Sequence, residues 1–407
     1  MQKALQNIKR NEGKLEAWFQ ETAKSICMPL TVSVDIRNAG FKMSVIDTNV
    51  FPAGFHYLCK TFSKDATQLF KDYLKSAVPK AKRILIVPEA FTRNLPYLQN
   101  VKKLETLLLE AGFTVQIGYL ESLPQNPFSQ PLSDGGTIDL HQFDVKNFQP
   151  DAILLNNDCS QGIPAQLQGL KIPIFPNPEL GWHARSKKNH FELYCQLVGE
   201  AAKLLDLDCW LFCPITVCEH DIDTNQEADM ERIAKRVDEV IGKTQKKYDK
   251  YGITEKPFCF VKSNVGTFGL GLVKVENSQE ILELNRKGRQ KLGTTKGGTG
   301  RSEFIIQEGI PTRDTLHGSP VEPVLYYVGG EWVGGFFRIH EDKDDRSSLN
   351  SPGAKFETLC FHKSDKPKEI ALNLNSQEFK DYLLMAQWLG KIACLAVGLE
   401  EKGLINS

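Results

Sequence analysis

Four short apolar runs constrain this chain more than any other feature of its sequence. ILIV (84–87), TVQIGYL (114–120), AILLNN (152–157) and IPIF (172–175) are short and rich in Val, Ile and Leu. Such runs mark strands covered on both faces. NLPYLQNVKKLETLLLEAGF (94–113) lies between two of them, with apolar residues at helical spacing and a stop at Gly112. Strands spaced by helices predict parallel βαβ units. Upstream, TVSVDI (31–36) alternates like a further strand, and 54–77 carries Phe, Leu and Tyr on one helical face. Residues 121–150, rich in Pro, Gly, Ser and Asp, predict an excursion loop.

PNPELGWHARSKK (176–188) interrupts this pattern, and the chain changes in kind after it. Helices are expected at 187–206, 229–252, 278–291 and 376–397. The 229–252 helix has sparse apolar positions and is expected on the surface. Strands are expected near 212–217, 257–262, 270–275, 303–307, 322–328, 331–339 and 355–362, several joined as antiparallel hairpins. The fold class is therefore α/β followed by α+β. At about 100–200 residues per domain, 407 residues suggest two or three domains. We expect divisions at 1–180, 181–255 and 256–407.

A content of 41% hydrophobic and 25% charged residues is that of an ordinary globular chain. Fifty Lys+Arg balance fifty Asp+Glu, so the net basic field that nucleic-acid binding needs is missing. No uninterrupted apolar run approaches the ~18 residues of a membrane span. The charged start MQKALQNIKRNEGKLEAW lacks a secretory apolar core. These features lead us to expect a cytoplasmic protein with no membrane or nucleic-acid partner. None of the ten cysteines forms a C-x-x-C pair. Free buried thiols in a reducing compartment are expected, in preference to a zinc set of Cys209, Cys213, Cys218 and His220.

Four segments carry candidate chemistry. PFCFVKSNVGTFGLGLVKV (257–275) is a strand ending at Lys262, a loop with Gly266, Gly269 and Gly271, and a second strand. It lacks the G-K-[ST] of a Walker loop and the following helix of a dinucleotide fingerprint. It fits a hairpin flap whose backbone N–H groups face a polyphosphate, with Lys262 as a point charge. It also fits a plain hairpin with a surface lysine. EFIIQEGI (303–310) is a strand ending in Gln307-Glu308, suited to a purine and ribose or simply to solvent. In 322–359 a Gly329-Gly330 turn joins two strands, the second delivering Arg338. The loop beyond gathers Asp342, Asp344, Asp345, Arg346 and Asn350. Carboxylates with an asparagine suit Mg²⁺, and arginines suit phosphoryl oxygens. The basic cluster 185–191 places Lys188 at a helix start, within reach of a phosphate.

Taken in order, Lys188, Lys262 with its glycine loop, Gln307-Glu308, and then Arg338, Asp345, Arg346 and Asn350 resemble the ATP-grasp superfamily over about residues 180–362. RIHEDKDDRSSLN is similar to a stretch of glutathione synthetases. SVDIRNAGFKMSVIDTNVFPAGF (33–55), VPEAFTRNLPYL (87–98) and LLNNDCSQGIP (154–164) resemble instead a proteobacterial family of glutamate–cysteine ligases, a similarity that extends over most of the chain.

This resemblance implies an N-terminal βαβ domain leading an ATP-grasp core, with ATP and Mg²⁺ as cofactors and glutamate and cysteine as substrates. It implies an ADP-forming ligation through a γ-glutamyl phosphate, the first step of glutathione biosynthesis. Lys188, Lys262, Gly266, Gly269, Gly271, Gln307 and Glu308 would bind ATP. Arg338 and Arg346 would be catalytic, and Glu322, Asp345 and Asn350 would hold metal. Arg37, Lys42 and Arg93 could hold the carboxylates of glutamate; Asp35, Asp47 or Glu89 its ammonium group; Asn38, Asn49, Asn94 and Asn157 would complete the hydrogen bonds. Another carboxylate–amine ligase, or a nucleotide sensor without turnover, stays open at this level. A homo-oligomer is an expectation by analogy alone.

Overall fold

A computed structural model describes residues 1–90, 94–264, 271–292, 302–359 and 376–406. The apolar runs form the strands Arg83–Pro88, Thr114–Tyr119, Ala152–Asn156 and Ile174–Phe175, paired in parallel as expected. Their side chains are almost entirely buried in the two central strands, since helices cover the sheet. The segment 121–150 is more ordered than its composition suggests. A hairpin of Phe128–Pro131 and Thr137–Gln142 extends the sheet, and a helical turn, Val145–Phe148, follows. Ile138 and Leu140 alternate inward and make the second hairpin strand a true sheet element.

The strand Thr31–Asn38 does not join this parallel sheet. It pairs antiparallel with Met43–Asn49 on one side and Ser319–Val328 on the other. Glu331–Ile339 and Lys355–Leu359 complete the antiparallel sheet, with the short strand Thr315–Leu316 beside it. An alternating strand carries no mark of its partner, so the pairing was not readable locally. The helix Ser376–Asn406 packs on this sheet and on the helix Lys187–Leu204. Tyr327 donates to the Gln387 carbonyl at 2.9 Å. Its stretch Gln377–Leu404 is long and apolar enough to cross a membrane, but 78% of its most apolar window is buried inside the protein. It is a core helix.

A third sheet holds Leu272–Val275, Cys259–Ser263, Ser302–Glu308 and Thr216–Ile222, all antiparallel. Helix Glu227–Tyr251 covers one face. Met230, Ile233, Val237 and Val240 recur at three- and four-residue spacing and are buried against Val261, Phe304 and Ile306. A narrow stripe thus anchors a helix that its charged remainder made look solvated. Cys195 and Cys213 are bonded to each other, with Cα atoms 5.6 Å apart; they are not the free thiols expected.

The C-terminal helix is tied in by buried charge. Arg185 donates to both oxygens of Glu400 at 2.8 and 3.1 Å, and His190 Nδ1 lies 2.5 Å from the same carboxylate. Burial pushes Glu400 up, but Arg185 and His190 outweigh it and hold the group at about 2. A depressed carboxylate stabilises the fold above its ordinary value of 4.5 and loses that contribution as pH falls toward 2. Glu400→Gln is therefore expected to cost ~3–5 kcal/mol at neutral pH, by stranding Arg185. Urea unfolding should also show a shallower loss of stability below pH 4.5 in the variant than in the parent chain.

Candidate active site

One cavity of about 480 Å³ lies where the three sheets meet. Its floor is one face of the antiparallel sheet. Alternation along each strand places Ser33, Asp35, Asp47, Asn49, Glu322, Tyr326 and Arg338 on that face, and all line the cavity. The register makes Asp35 a cross-strand neighbour of Asp47, and Glu322 of Arg338. The same alternation brings Arg37, two residues beyond Asp35, to that side, and the slip in the ladder leaves Ile46 as an extra residue that also borders the cavity.

These groups form a buried chain of ions. Arg338 Nη1 donates to Asp35 Oδ2 at 2.6 Å and to Glu322 Oε1 at 2.5 Å. Arg37 Nε donates to Glu322 Oε2 at 2.8 Å, and its other nitrogens donate to the carbonyls of Ile310 and Ser347. Burial opposes the Arg338 charge, but Asp35 and Glu322 raise its pKa above the ordinary value. Glu322 is held low because Arg37 and Arg338 outweigh its burial. Asp35 is the exception. Burial and the nearby Glu322 and Asp47 carboxylates outweigh Arg338 and push it up to about 6. The floor therefore carries more negative charge than its arginines offset.

The nucleotide-binding face expected from the flap is the open face of the third sheet. Phe260, Lys262, Leu272 and Gln307 project from it into the cavity. Lys262 Nζ donates to Gln307 Oε1 at 3.0 Å and to the Ile46 carbonyl at 3.3 Å. Desolvation lowers Lys262 to about 8, although Asp47 works to raise it. A partly dehydrated ammonium of this kind gains strongly from an anionic ligand. Gly271 has φ +68°, which frees the backbone to turn into Leu272. Gly266 and Gly269, like Arg93, lie outside the described residues.

The third wall is the carboxyl end of the parallel sheet. The chain runs outward from Arg83–Pro88 to Thr114–Tyr119 and returns on the other side at Ala152–Asn156. Loops diverge at such a switch point and leave a crevice. Glu89, Asn156 and Asp158 line it, with Asn94, Tyr97 and Asn100 from the intervening helix. Tyr97 donates to the Asn156 carbonyl at 2.8 Å, and Glu89 accepts from the Asp158 N–H at 2.9 Å. His56, held neutral by burial with a pKa of about 4, lines the same end.

Several expected residues stand outside this cavity. Lys188 points away and pairs loosely with Glu192 at 3.7 Å. Its neighbour Lys187 enters instead, 3.2 Å from Asp47 and 4.0 Å above the Trp182 ring. One residue is 100° of helix turn, which the sequence does not resolve at a helix start. Lys42 is buried under Trp210, donating to Glu308 at 2.7 Å. Glu308 borders the cavity, but its carboxylate is spent on Lys42, Trp210 Nε1 and the Ile215 N–H. Asn38 binds Asp314, and Asn157 caps its own turn by accepting from the Cys159 N–H. Asp345 is exposed beyond the cavity. Arg346 stacks 4.4 Å from Phe258 and donates to the Lys256 carbonyl. From that loop it is Ser348 and Asn350 that face inward. Lys187, Tyr97, Asn100, Asn156 and Asp158 were missed. Asn156 and Asp158 flank the predicted Asn157 in strict alternation, so strand parity could have found them.

A sheet-borne lysine thus faces a carboxylate-and-arginine floor across one cleft, an arrangement that suits a ligase acting on anionic substrates. The glutamate–cysteine ligase family model, GshA, matches residues 6–401, so the chain belongs to that family. A crystal structure from Methylobacillus flagellatus KT, provisionally assigned as a gamma-glutamylcysteine synthetase, superposes with a TM-score of 0.89 at 33% identity, covering 98% of this chain and 96% of that one. D-alanyl-alanine synthetase A from Vibrio cholerae O1 biovar eltor (13% identity, TM-score 0.35, 76% and 80% covered) is far more distant. So is a glutathione synthetase-like effector from Globodera pallida (9%, 0.37, 88% and 84%). Neither of these two carries weight at such scores. No curated protein matches significantly.

Lys42 and Lys187 separate fold from site. Lys42→Met leaves Glu308 buried without its cation and is expected to cost ~3–5 kcal/mol in a thermal melt. Lys187→Met removes one partner of a largely buried pair, its side chains 10% and 26% exposed, but leaves Asp47 beside the charge of Lys262. Its effect is expected in steady-state kinetics, as a fall in kcat/KM with little change in Tm.

Proposed function

We propose that this chain joins the γ-carboxylate of glutamate to the amine of cysteine, with ATP cleaved to ADP and phosphate. The observation that carries the proposal is the single cavity shared by Lys262, Arg338 and the switch-point crevice. Polyphosphate, acyl donor and amine all have room at one junction. In the first step a glutamate carboxylate oxygen attacks the γ-phosphorus, and the bond to the ADP oxygen breaks. In the second the cysteine amine attacks the acyl phosphate, and phosphate leaves as the amide forms. Positioning and charge stabilisation do most of the work in such transfers.

Lys262 holds the polyphosphate, with Gln307 orienting its ammonium. Arg338 stabilises charge on the transferring phosphoryl group. Its buried Nε has no partner among the described residues and is a donor left for an oxygen. Glu89, Asp158, Asn94 and Asn156 hold the amino acid at the crevice, and Asn49 with Asp47 meets it from the floor. Lys187 and Arg37 contribute positive charge to that end. The aromatic rings of Tyr57, Tyr326 and Phe356 keep it dry, which protects an acyl phosphate from water.

The donor set suits Mg²⁺. Asp35, Glu322 and Asn350 would offer oxygen ligands, and Asp35, pushed up first by its burial and then by the Glu322 and Asp47 carboxylates, would gain from a cation. Bound by those residues, Mg²⁺ would supply positive charge between substrate carboxylate and polyphosphate. The residues themselves orient the reactants and exclude water. The division into an amino-acid-binding unit over 1–180 and nucleotide-binding units over 181–255 and 256–407 follows from the same reading. The floor is shared between them, because Thr31–Asn38 pairs with Ser319–Val328.

Phosphate release by the purified chain with ATP and Mg²⁺ should require glutamate and cysteine together. Release that proceeds equally with glycine or alanine in place of cysteine would sink the assigned acceptor. Arg338→Lys keeps a cation but loses the fork, and kcat is expected to drop by ~10²–10³.

A further inference from the structure

We propose that Cys218, His220 and Glu303 form a binding site for a borderline-soft divalent cation of the zinc class, at the rim of the third sheet. Cys218 and His220 sit two residues apart on the edge strand Thr216–Ile222, so both project from one face. Glu303 comes from the neighbouring strand. The ladder slips between Ser302 and Phe304 there, and such irregularities re-aim a side chain. The three ligand atoms lie within 4.8 Å of one another, the one such cluster among the described residues.

His220 Nδ1 already lies 2.7 Å from Glu303 Oε1. The other carboxylate oxygen accepts from Asn264 Nδ2 at 2.8 Å. Asn264 is buried, and its own Oδ1 accepts from the Lys188 N–H at 2.8 Å. Glu303 is thus oriented from behind, as ligands in metal sites are. Metal–ligand bonds of ~2.0–2.3 Å in a tetrahedron set ligand atoms ~3.3–3.8 Å apart. Small side-chain rotations bring the present cluster to that spacing. Three protein ligands leave a fourth position for water or a small ligand.

The chemistry separates this cluster from the cavity. A thiolate with an imidazole favours Zn²⁺, whereas the all-oxygen set of Asp35, Glu322 and Asn350 favours Mg²⁺. The two remain mechanically linked. The Asn264 carbonyl accepts from the Lys187 N–H at 3.0 Å, and Lys187 lines the cavity. An ion at the rim stiffens the support of that lysine.

The test is titration of the metal-free full chain with Zn²⁺ against a chromophoric chelator, with Co²⁺ as a spectroscopic stand-in. One equivalent of Zn²⁺ per chain and a cobalt–thiolate charge-transfer band are expected. Cys218→Ser and His220→Ala should each weaken binding at least ~100-fold, beyond the ~10–100-fold typical of outer-shell changes. Cys209→Ser, at an exposed thiol elsewhere, should leave it unchanged. Should His220→Ala fold poorly in a metal-free thermal melt, Cys218→Ser alone decides. Absence of stoichiometric Zn²⁺ binding, or retention of it in Cys218→Ser, overturns the proposal.

Discussion

The buried chain Asp35–Arg338–Glu322–Arg37 is the constraint on which the rest of this structure depends. Four charges with almost no solvent contact are tolerable only when each meets opposite charge and directed hydrogen bonds. Meeting that condition forces a strand from the beginning of the chain against a hairpin from near its end. The antiparallel sheet that results is the floor of the active site. Apolar residues in their place often leave a fold as stable or more so. These groups face the cavity instead, where the proposed phosphoryl transfer would use their charge.

Around that floor the molecule spends its titratable groups in two ways. Lys42 with Glu308, and Arg185 with Glu400 and His190, are closed pairs that saturate one another and tie layers together. Lys262, Asp35 and Lys187 are left partly dissatisfied. Lys262 is desolvated, Asp35 is crowded by other carboxylates, and Lys187 shares Asp47 with Lys262. Unbalanced groups of this kind mark a binding cleft, because a charged ligand completes them. The distinction between closed and open groups separates Lys42, which supports the fold, from Lys187 and Lys262, which face the cavity.

Much of the fold and of the nucleotide end was legible in the residues. Apolar runs flanked by turn residues located the parallel strands, and the Lys262 strand, the Gln-Glu strand and the arginine hairpin supply two facing walls of one cleft. The misreadings share a cause. Lys188 stands outside the cavity beside Lys187, Asn157 beside Asn156, and Asp345 in the same loop as the inward-facing Asn350; each reflects local phase: which side of a helix turn, strand or loop faces inward. Phase is set by neighbours distant in sequence. The 229–252 helix lies at the surface as its sparse apolar positions predict, with one stripe of Met230, Ile233, Val237 and Val240 turned to the third sheet.

Periodicity and turn residues thus determined the element types, and the resemblance of short segments pointed to the family, because those are properties of short windows of sequence. Only tertiary structure decided that residues 31–49 belong to the same sheet as 319–339. It also decided which carboxylates share an arginine, and that Cys218 and His220 meet Glu303. Those outcomes rest on contacts between side chains up to hundreds of positions apart, and no local pattern encodes the partner of a strand or the far side of an ion pair.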